Sequence, residues 1–404
     1  MALEARQAAI RALDWVLRER RMLAHLPPDP RLPAADAARA ARLASLVLRN
    51  LAPLDACLAP HLDRKPPHPA RLILRLAAAE LLVAGEDAHG VVDSAVTLAK
   101  RGRKTARMAG MVNAVLRRVA AEGPAHFAGQ PPQRLPGWIA GPVGKRWGTD
   151  ALRAIEAAHF ALPPIDLTVK PGAAPDIPAA TRLPTGSLRM APGTRVTALP
   201  GHAEGAVWVQ DAAAALPVRL LGDVAGQRVL DLCAAPGGKT MQLAALGAEV
   251  TALDLSAARM DRLRENLART GLAAGIAVGD ALDHAAAPYD AILLDAPCTA
   301  TGTIRRHPDL PHVRTRPEVE PLTRLQMRLI DHALGLLKPG GRLVYCTCSL
   351  LPVEGELQVT AALGRHPGLR VIPADAAALG GDAGWQSPEG GLRLRPDFWP
   401  ETGG

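Results

Sequence analysis

Arg228-Val229-Leu230-Asp231-Leu232-Cys233-Ala234-Ala235-Pro236-Gly237-Gly238-Lys239-Thr240-Met241 is a short apolar run that ends in a turn of small residues and enters a helix near Met241. A run this short, bounded by turn residues, reads as a buried strand. Comparable runs follow at Glu249–Leu253, Gly275–Val278, Asp290–Leu294 and Gly341–Cys346, with helical stretches between them. That alternation, from about Gly201 onward, predicts an α/β, Rossmann-like domain with a doubly wound, mostly parallel sheet. Ligands of such sheets bind at the carboxyl ends of the strands, and the turns that follow these runs all emerge there.

The first turn limits the ligand. A phosphate-binding G-x-x-x-x-G-K-[ST] loop would need Gly at position 233, where Cys stands, and no G-x-G-x-x-G fingerprint is present. A nucleoside without phosphates fits better, S-adenosylmethionine being the example, because a helix N-terminus can take its carboxylate. Asp254 ends the second run, where a carboxylate can take ribose hydroxyls, and Asp280 follows the third, near an adenine position. Alone, each would read as a helix cap or turn former. Together with Cys233, Ala234, Ala235, Pro236, Gly237, Gly238 and Lys239 they form a candidate cofactor site.

Residues 1–122 read differently, as helices separated by Pro and Gly signals around Leu26–Pro30, Lys65–Pro69 and Gly85–Gly90. Met108, Val112, Val115 and Val119 recur at helical spacing and make one apolar stripe. This all-helical part holds the chain's basic surplus. Of 47 Lys+Arg and 39 Asp+Glu, residues 1–120 hold 20 and 11, leaving 27 and 28 for the remainder. Such a surplus points to a polyanion, since Lys and Arg release counterions from a phosphate backbone. Lys100, Arg101, Arg103 and Lys104 form a short basic loop that could meet phosphates or be an ordinary exposed turn. The expected division is a helical domain over 1–125, a linker and small α+β connector over 126–200, and an α/β domain over 201–404. In the connector, Gly123 to Trp138 reads as a linker and Asp150–Phe160 as a short helix.

Cys57, Cys233, Cys298, Cys346 and Cys348 are too few for a disulfide framework, and no tandem C-x-x-C pair points to a metal. Reduced thiols, no bound metal, no membrane segment and a cytoplasmic location are the expectation, since neither a signal-peptide core nor a long apolar span occurs. Cys57, Cys233 and Cys346 read as small packing residues. Cys298 and Cys348 follow the fourth and fifth runs, which a doubly wound sheet places side by side, so the two should face one another across the cofactor cleft.

Val229–Thr240 (VLDLCAAPGGKT), Asp295–Asp309 (DAPCTATGTIRRHPD), Gly340–Ser349 (GGRLVYCTCS) and Trp208–Asp211 (WVQD) closely resemble the Sun/Fmu-type RNA (cytosine-C5) methyltransferases. The N-terminal part, including Val91–Lys100 and Val112–Arg118, resembles the NusB-like helical domain of their bacterial members. The resemblance implies S-adenosylmethionine as cofactor, Cys348 as nucleophile toward carbon 6 of cytosine, Cys298 as the residue that resolves the adduct, and Asp295 in the cofactor site and at the cytosine edge. Arg305, Arg306 and His307 become candidates for RNA contact. Members with the helical extension are similar to the enzyme that modifies one cytosine of 16S rRNA, so free or partly assembled small-subunit rRNA and a monomeric enzyme are implied. A tRNA methyltransferase and a non-catalytic assembly factor are the competing readings.

Two departures from the family accompany this. Glu354-Gly355-Glu356 stands where the family has Glu-Asn-Glu, and the chain stops at Gly403-Gly404, where relatives continue through a Phe-rich final strand. One strand of the sheet is therefore expected to be absent or differently supplied.

Overall fold

The structure, a computed structural model, describes residues 3–399. The chain divides into two compact units. One comprises the residues up to Ala140 with His159–Ala161 and Ile304–Thr315; the other comprises Gly141–Ala158, Leu162–Thr303 and the residues from Arg316 on. The helical part thus takes in a segment from far downstream, and residues 126–200, expected as a connector, are divided between the two units.

The first unit is built from α1 (Leu3–Leu17), α2 (Ala34–Arg49), α3 (Leu51–Leu58), α4 (His68–Leu82), α5 (Ala88–Arg101) and α6 (Ala109–Ala128). Their apolar stripes converge on one core that includes Leu13, Val47, Leu48, Leu54, Leu74, Val112 and Leu116. Few aromatics enter it, so Leu, Val and Ala supply the buried area, each large aliphatic side chain giving about 1.5–3 kcal/mol. Asp87 caps α5 by accepting from the Gly90 N–H at 2.9 Å. A buried pair, Arg6 with Glu80 at 2.9 Å, crosses from α1 to α4. At Gly123, where the expected linker begins, α6 is interrupted: Gly123 is non-helical at φ 70°, a value glycine reaches without a Cβ penalty. A short helical stretch follows to Ala128, and residues 131–136 have no regular structure. Likewise α7 (Gly137–Phe160) is broken at the non-helical Gly148, φ 86°, and its second part is the short helix expected at Asp150–Phe160.

Ile304–Thr315 is held in this unit by backbone groups. Arg49 at the end of α2 donates to the carbonyls of His159 (3.2 Å), Ala161 (2.8 Å) and Arg305 (2.5 Å). The Leu23 N–H donates to Asp309 at 2.6 Å, and Arg20 donates to the His312 carbonyl at 2.5 Å. Ile304 and Leu310 are buried.

In the second unit β1 (Ile165–Val169), β2 (Thr181–Arg182), β3 (Leu188–Met190) and β4 (Val207–Val209) form an antiparallel sheet of order β2-β3-β1-β4. Pairing of β1 with β4 carries this sheet past position 200, where the expected connector ended. Then come α8 (Ala212–Leu220), β5 (Arg228–Leu232), α9 (Gly238–Ala245), β6 (Glu249–Asp254), α10 (Ala257–Thr270), β7 (Gly275–Val278) and β8 (Tyr289–Asp295). After the one-turn α11 (Leu310–Val313) of the first unit, α12 (Val319–Gly335), β9 (Leu337–Cys346) and α13 (Glu356–Arg365) follow.

The second sheet has the order β7-β6-β5-β8-β9, all parallel. Strand order reverses between β5 and β8, which opens a ligand crevice at their carboxyl ends. Register aligns Leu232 with Leu253 and Leu294, Asp254 with Val278, and Asp295 with Cys346, so the ends of all five strands lie along one edge. Leu230, Leu232, Ile292 and Leu294 pack beneath that edge against α12. Among the described residues no sixth parallel-sheet strand follows α13. The closing segment buries Trp385 beside Phe398, Trp399 and Leu216, while the Gly403-Gly404 end lies outside the described residues.

Candidate active site

The β5–α9 turn needs two backbone conformations that L residues seldom adopt: Cys233 at φ 63° and Gly237 at φ 105°. A Cβ on Gly237 would come within 2.8 Å of Leu263 Cγ, so only glycine fits there. The turn is tied to β6 through the Ala234 N–H, which donates to the Leu253 carbonyl, and the Ala235 N–H, which donates to Asp254 at 3.1 Å. Gly237 caps α9 without a side chain, leaving the first-turn N–H groups free of a side-chain partner. Trp208 and Gln210 of the WVQD segment brace the start of α9: Trp208 Nε1 donates to Gln210 Oε1 at 2.9 Å, and Gln210 donates to Gln242 at 2.6 Å.

Around this turn stand three carboxylates. Asp254 is buried, accepts from the Ser256 N–H at 2.9 Å, and has the Arg259 guanidinium 3.5 Å away. Asp295 accepts from Lys239 Nζ at 2.8 Å. That partnership outweighs burial and keeps Lys239 firmly protonated, its value pushed up by Asp295. Asp231 is fully buried and accepts from the Thr240 hydroxyl at 2.6 Å; burial pushes its carboxyl up to about 7. Asp280 is exposed and caps the turn after β7 by accepting from the Leu282 N–H at 2.9 Å. Cys233 lines the turn, with its thiol pushed up to about 12 by burial and by Asp254.

At the neighbouring strand ends, Cys298 and Cys348 lie with their Sγ atoms 3.5 Å apart, and both are free thiols. Cys348 is exposed and Cys298 half-buried. The hydrogen bond with Cys348, burial, and the charges of Cys348 and Glu354 together hold the Cys298 thiol well above its ordinary value. Cys298 therefore stays protonated in this pair and can donate its S–H to Cys348. Cys346, the last residue of β9 and two residues before Cys348, is half-buried and donates to Asp295 at 3.7 Å.

The structure thus gathers Cys233 through Lys239, Asp254, Asp295, Cys298 and Cys348 at one edge, with Asp280 after β7 on the same edge. Lys100, Arg101, Arg103 and Lys104 are exposed at the end of α5 and in the turn after it. Arg305 is buried, with 7 % exposed, in the segment that joins the helical unit, and Arg306 is half-buried. A guanidinium so enclosed is not displayed as a surface phosphate contact. Sequence reading missed Glu354, Thr299, Gly302 and Arg393. Glu354 stood in a quoted motif, but nothing local signals that its carboxylate reaches both cysteine loops. Gly355 has a local explanation: a Cβ there would sit 2.5 Å from the Arg393 guanidinium, which pairs with Glu356 at 2.6 Å.

Among the described residues no cluster of His, Cys, Asp and Glu could hold a metal ion, and no helix is long and apolar enough to cross a membrane.

Comparison with known proteins agrees with this geometry. A family model described as 16S rRNA methyltransferase RsmB/F matches residues 218–402, and one described as NusB family matches residues 3–121. The chain is similar to ribosomal RNA small subunit methyltransferase B of Salmonella arizonae (34 % identical, 90 % of each chain covered). It is also similar to the proteins of that name from Xanthomonas campestris pv. campestris (36 %, 92 % of this chain and 90 % of the relative) and Pseudomonas putida (40 %, 75 % and 73 %). Among solved structures, PH0851 shares the fold across 98 % of this chain and 96 % of its own, with TM-score 0.72 and 23 % identity. A methyltransferase homolog protein from Pyrococcus horikoshii matches 64 % of this chain and 89 % of its own, with TM-score 0.52 and 30 % identity.

Proposed function

The chain belongs to the 16S rRNA methyltransferase RsmB/F family, and we propose that it transfers a methyl group from S-adenosylmethionine to carbon 5 of a cytosine in small-subunit rRNA, with Cys348 as covalent nucleophile. The observation that carries this reading is the thiol pair of Cys298 and Cys348, 3.5 Å apart beside the glycine-rich turn.

The residues present fit the cofactor. The uncapped first turn of α9 suits its carboxylate, Asp254 its ribose hydroxyls, and Asp280 its adenine. When bound, S-adenosylmethionine supplies a methyl group that leaves without its bonding electrons. Carbon 5 of cytosine is too weak a nucleophile to take it unaided. Thiolate addition from Cys348 to carbon 6 moves the double-bond electrons onto carbon 5, which then accepts the methyl. Loss of the carbon 5 proton to a base re-forms the double bond and expels the Cys348 thiolate. Cys298, the thiol beside Cys348, serves that release. Asp295, held by Lys239, orients the amino edge of the cytosine.

To reach this edge the base must leave its stack, which costs a few kcal/mol and favours free or partly assembled rRNA. Lys100, Arg101, Arg103 and Lys104 meet phosphates, with Arg306 as a further contact, and the enzyme acts as a monomer. The test is transfer of labelled methyl from S-adenosylmethionine to unmodified small-subunit rRNA, followed by nuclease digestion and nucleoside analysis. The expected product is 5-methylcytidine, absent with Cys348→Ala although that variant still binds the cofactor. No incorporation into rRNA, tRNA or assembly intermediates would overturn the reading in favour of a non-catalytic assembly factor.

A further inference from the structure

Thr299 directly follows Cys298, and Ser349 directly follows Cys348. Both bond to one carboxylate, that of Glu354, which has no exposed surface. Its Oε1 accepts from the Thr299 N–H at 2.9 Å and from Gln326 Nε2 at 3.1 Å. Its Oε2 accepts from the hydroxyls of Thr299 and Ser349, each at 2.5 Å. The two hydroxyls also lie 3.2 Å from one another. Four donors on a carboxylate wholly removed from water satisfy it, and charge-assisted bonds of this kind are short and directional.

Nothing in the reaction requires a carboxylate at this depth, since Glu354 lies beneath the loops and reaches neither thiol directly. Its donors come from three places, the β8 loop, the β9 loop and α12, so it fastens the two cysteine loops to each other and to the helix under them. Resting on the function proposed above, we infer that Glu354 is the positioning residue that sets Cys298 against Cys348, and that release of the methylated base depends on it. The groups facing Cys298 are Cys348, Glu354 and Tyr345; Arg393 reaches the Cys348 loop through the Ser349 carbonyl.

Glu354→Gln keeps the shape, removes the charge and cannot accept from the same four donors. The expected result is a kcat lower by about 100-fold, the loss that roughly 1 Å of misplacement can cause, with KM falling alongside and kcat/KM little changed, because the slowed step follows methyl transfer. Protein–RNA adduct stable in denaturing gels should accumulate, because Cys348 still adds while Cys298 no longer serves release. With the Glu354 charge gone, alkylation of Cys298 by iodoacetamide, read by peptide mass spectrometry, should also begin at lower pH. A folded Glu354→Gln enzyme that turns over like wild type, or that slows with neither adduct nor a shifted alkylation profile, overturns the inference. Should that variant fail to fold, Thr299→Val carries the test: it removes one hydroxyl donor within the same volume, and wild-type turnover without adduct overturns the inference equally. Wild-type 5-methylcytidine formation, run alongside, separates the two readings. Its absence sinks the proposed function, whereas the alkylation profile still reports whether Glu354 governs Cys298.

Discussion

The backbone N–H of Gly302 donates to the carbonyl of Cys348 at 2.8 Å, and a Cβ on Gly302 would stand 2.8 Å from that same oxygen. The loop after Cys298 therefore touches the residue that carries the nucleophile, through a position that only glycine can fill. Gly302→Ala must push the two loops apart, at an overpacking cost of about 1–3 kcal/mol. Methylation should fall by about 100-fold, whereas Gly335→Ala, with open space around it, should leave the rate unchanged. Single-turnover methyl transfer on both variants checks this.

Cys298→Ala removes the partner thiol and leaves Cys348 in place. Adduct formation should persist and its breakdown slow, so protein and RNA should migrate together in denaturing gels. Prompt release by an active Cys298→Ala preparation would deny that residue its role.

Asp231 supplies a pH signature. Its folded value, pushed up to about 7 by burial, stands above the ordinary carboxyl value of 3.8. The folded chain thus holds this proton more tightly than the unfolded chain does. Stability from the protonated form is complete below about pH 4 and is lost as pH rises to about 7, by on the order of 4 kcal/mol at most. Asp231→Asn should lack this loss, so its unfolding temperature should gain on wild type across that window. A constant difference from pH 4 to pH 7.5 in thermal melts would count against the assignment.

Gly355→Asn restores the side chain that the family carries at this place. Arg393 occupies that space and is fixed by Glu356 and by the Ser349 carbonyl. The substitution should cost about 1–3 kcal/mol of stability. Arg393→Ala should absorb most of that cost, and a double-mutant cycle in thermal unfolding measures the coupling.

The sequence made the parallel sheet readable because each strand is a short apolar run closed by a turn, and all five runs occupy the places expected to within a few residues. Those turns also revealed the cofactor loop, and Cys298 and Cys348 could be paired because neighbouring parallel strands end together. Gly123 and Gly148 do break the helical backbone, as glycine in a helical pattern signals. Helical turns resume directly after each, so the stretch expected as a linker from Gly123 begins with a short helix. Glu354, by contrast, was hidden. Its partners Thr299 and Gln326 are far away in sequence, and a long-range bond to a buried carboxylate leaves no periodicity to read. Arg305 misled because charge alone does not reveal enclosure.

The placing of Ile304–Thr315 in the helical unit bears on how the protein comes off the ribosome. Domains usually fold as they emerge, the N-terminal one first. Here the Arg49 guanidinium and the Leu23 N–H wait for Arg305 and Asp309, which are synthesised only after the whole glycine-rich turn and Cys298 have appeared. The first-made helices can pack their common core early, yet their unit closes late. Its completion needs Asp309, so the helical unit closes only after Cys298 has been made, while β9 and the Cys348 loop of the other unit are still to come.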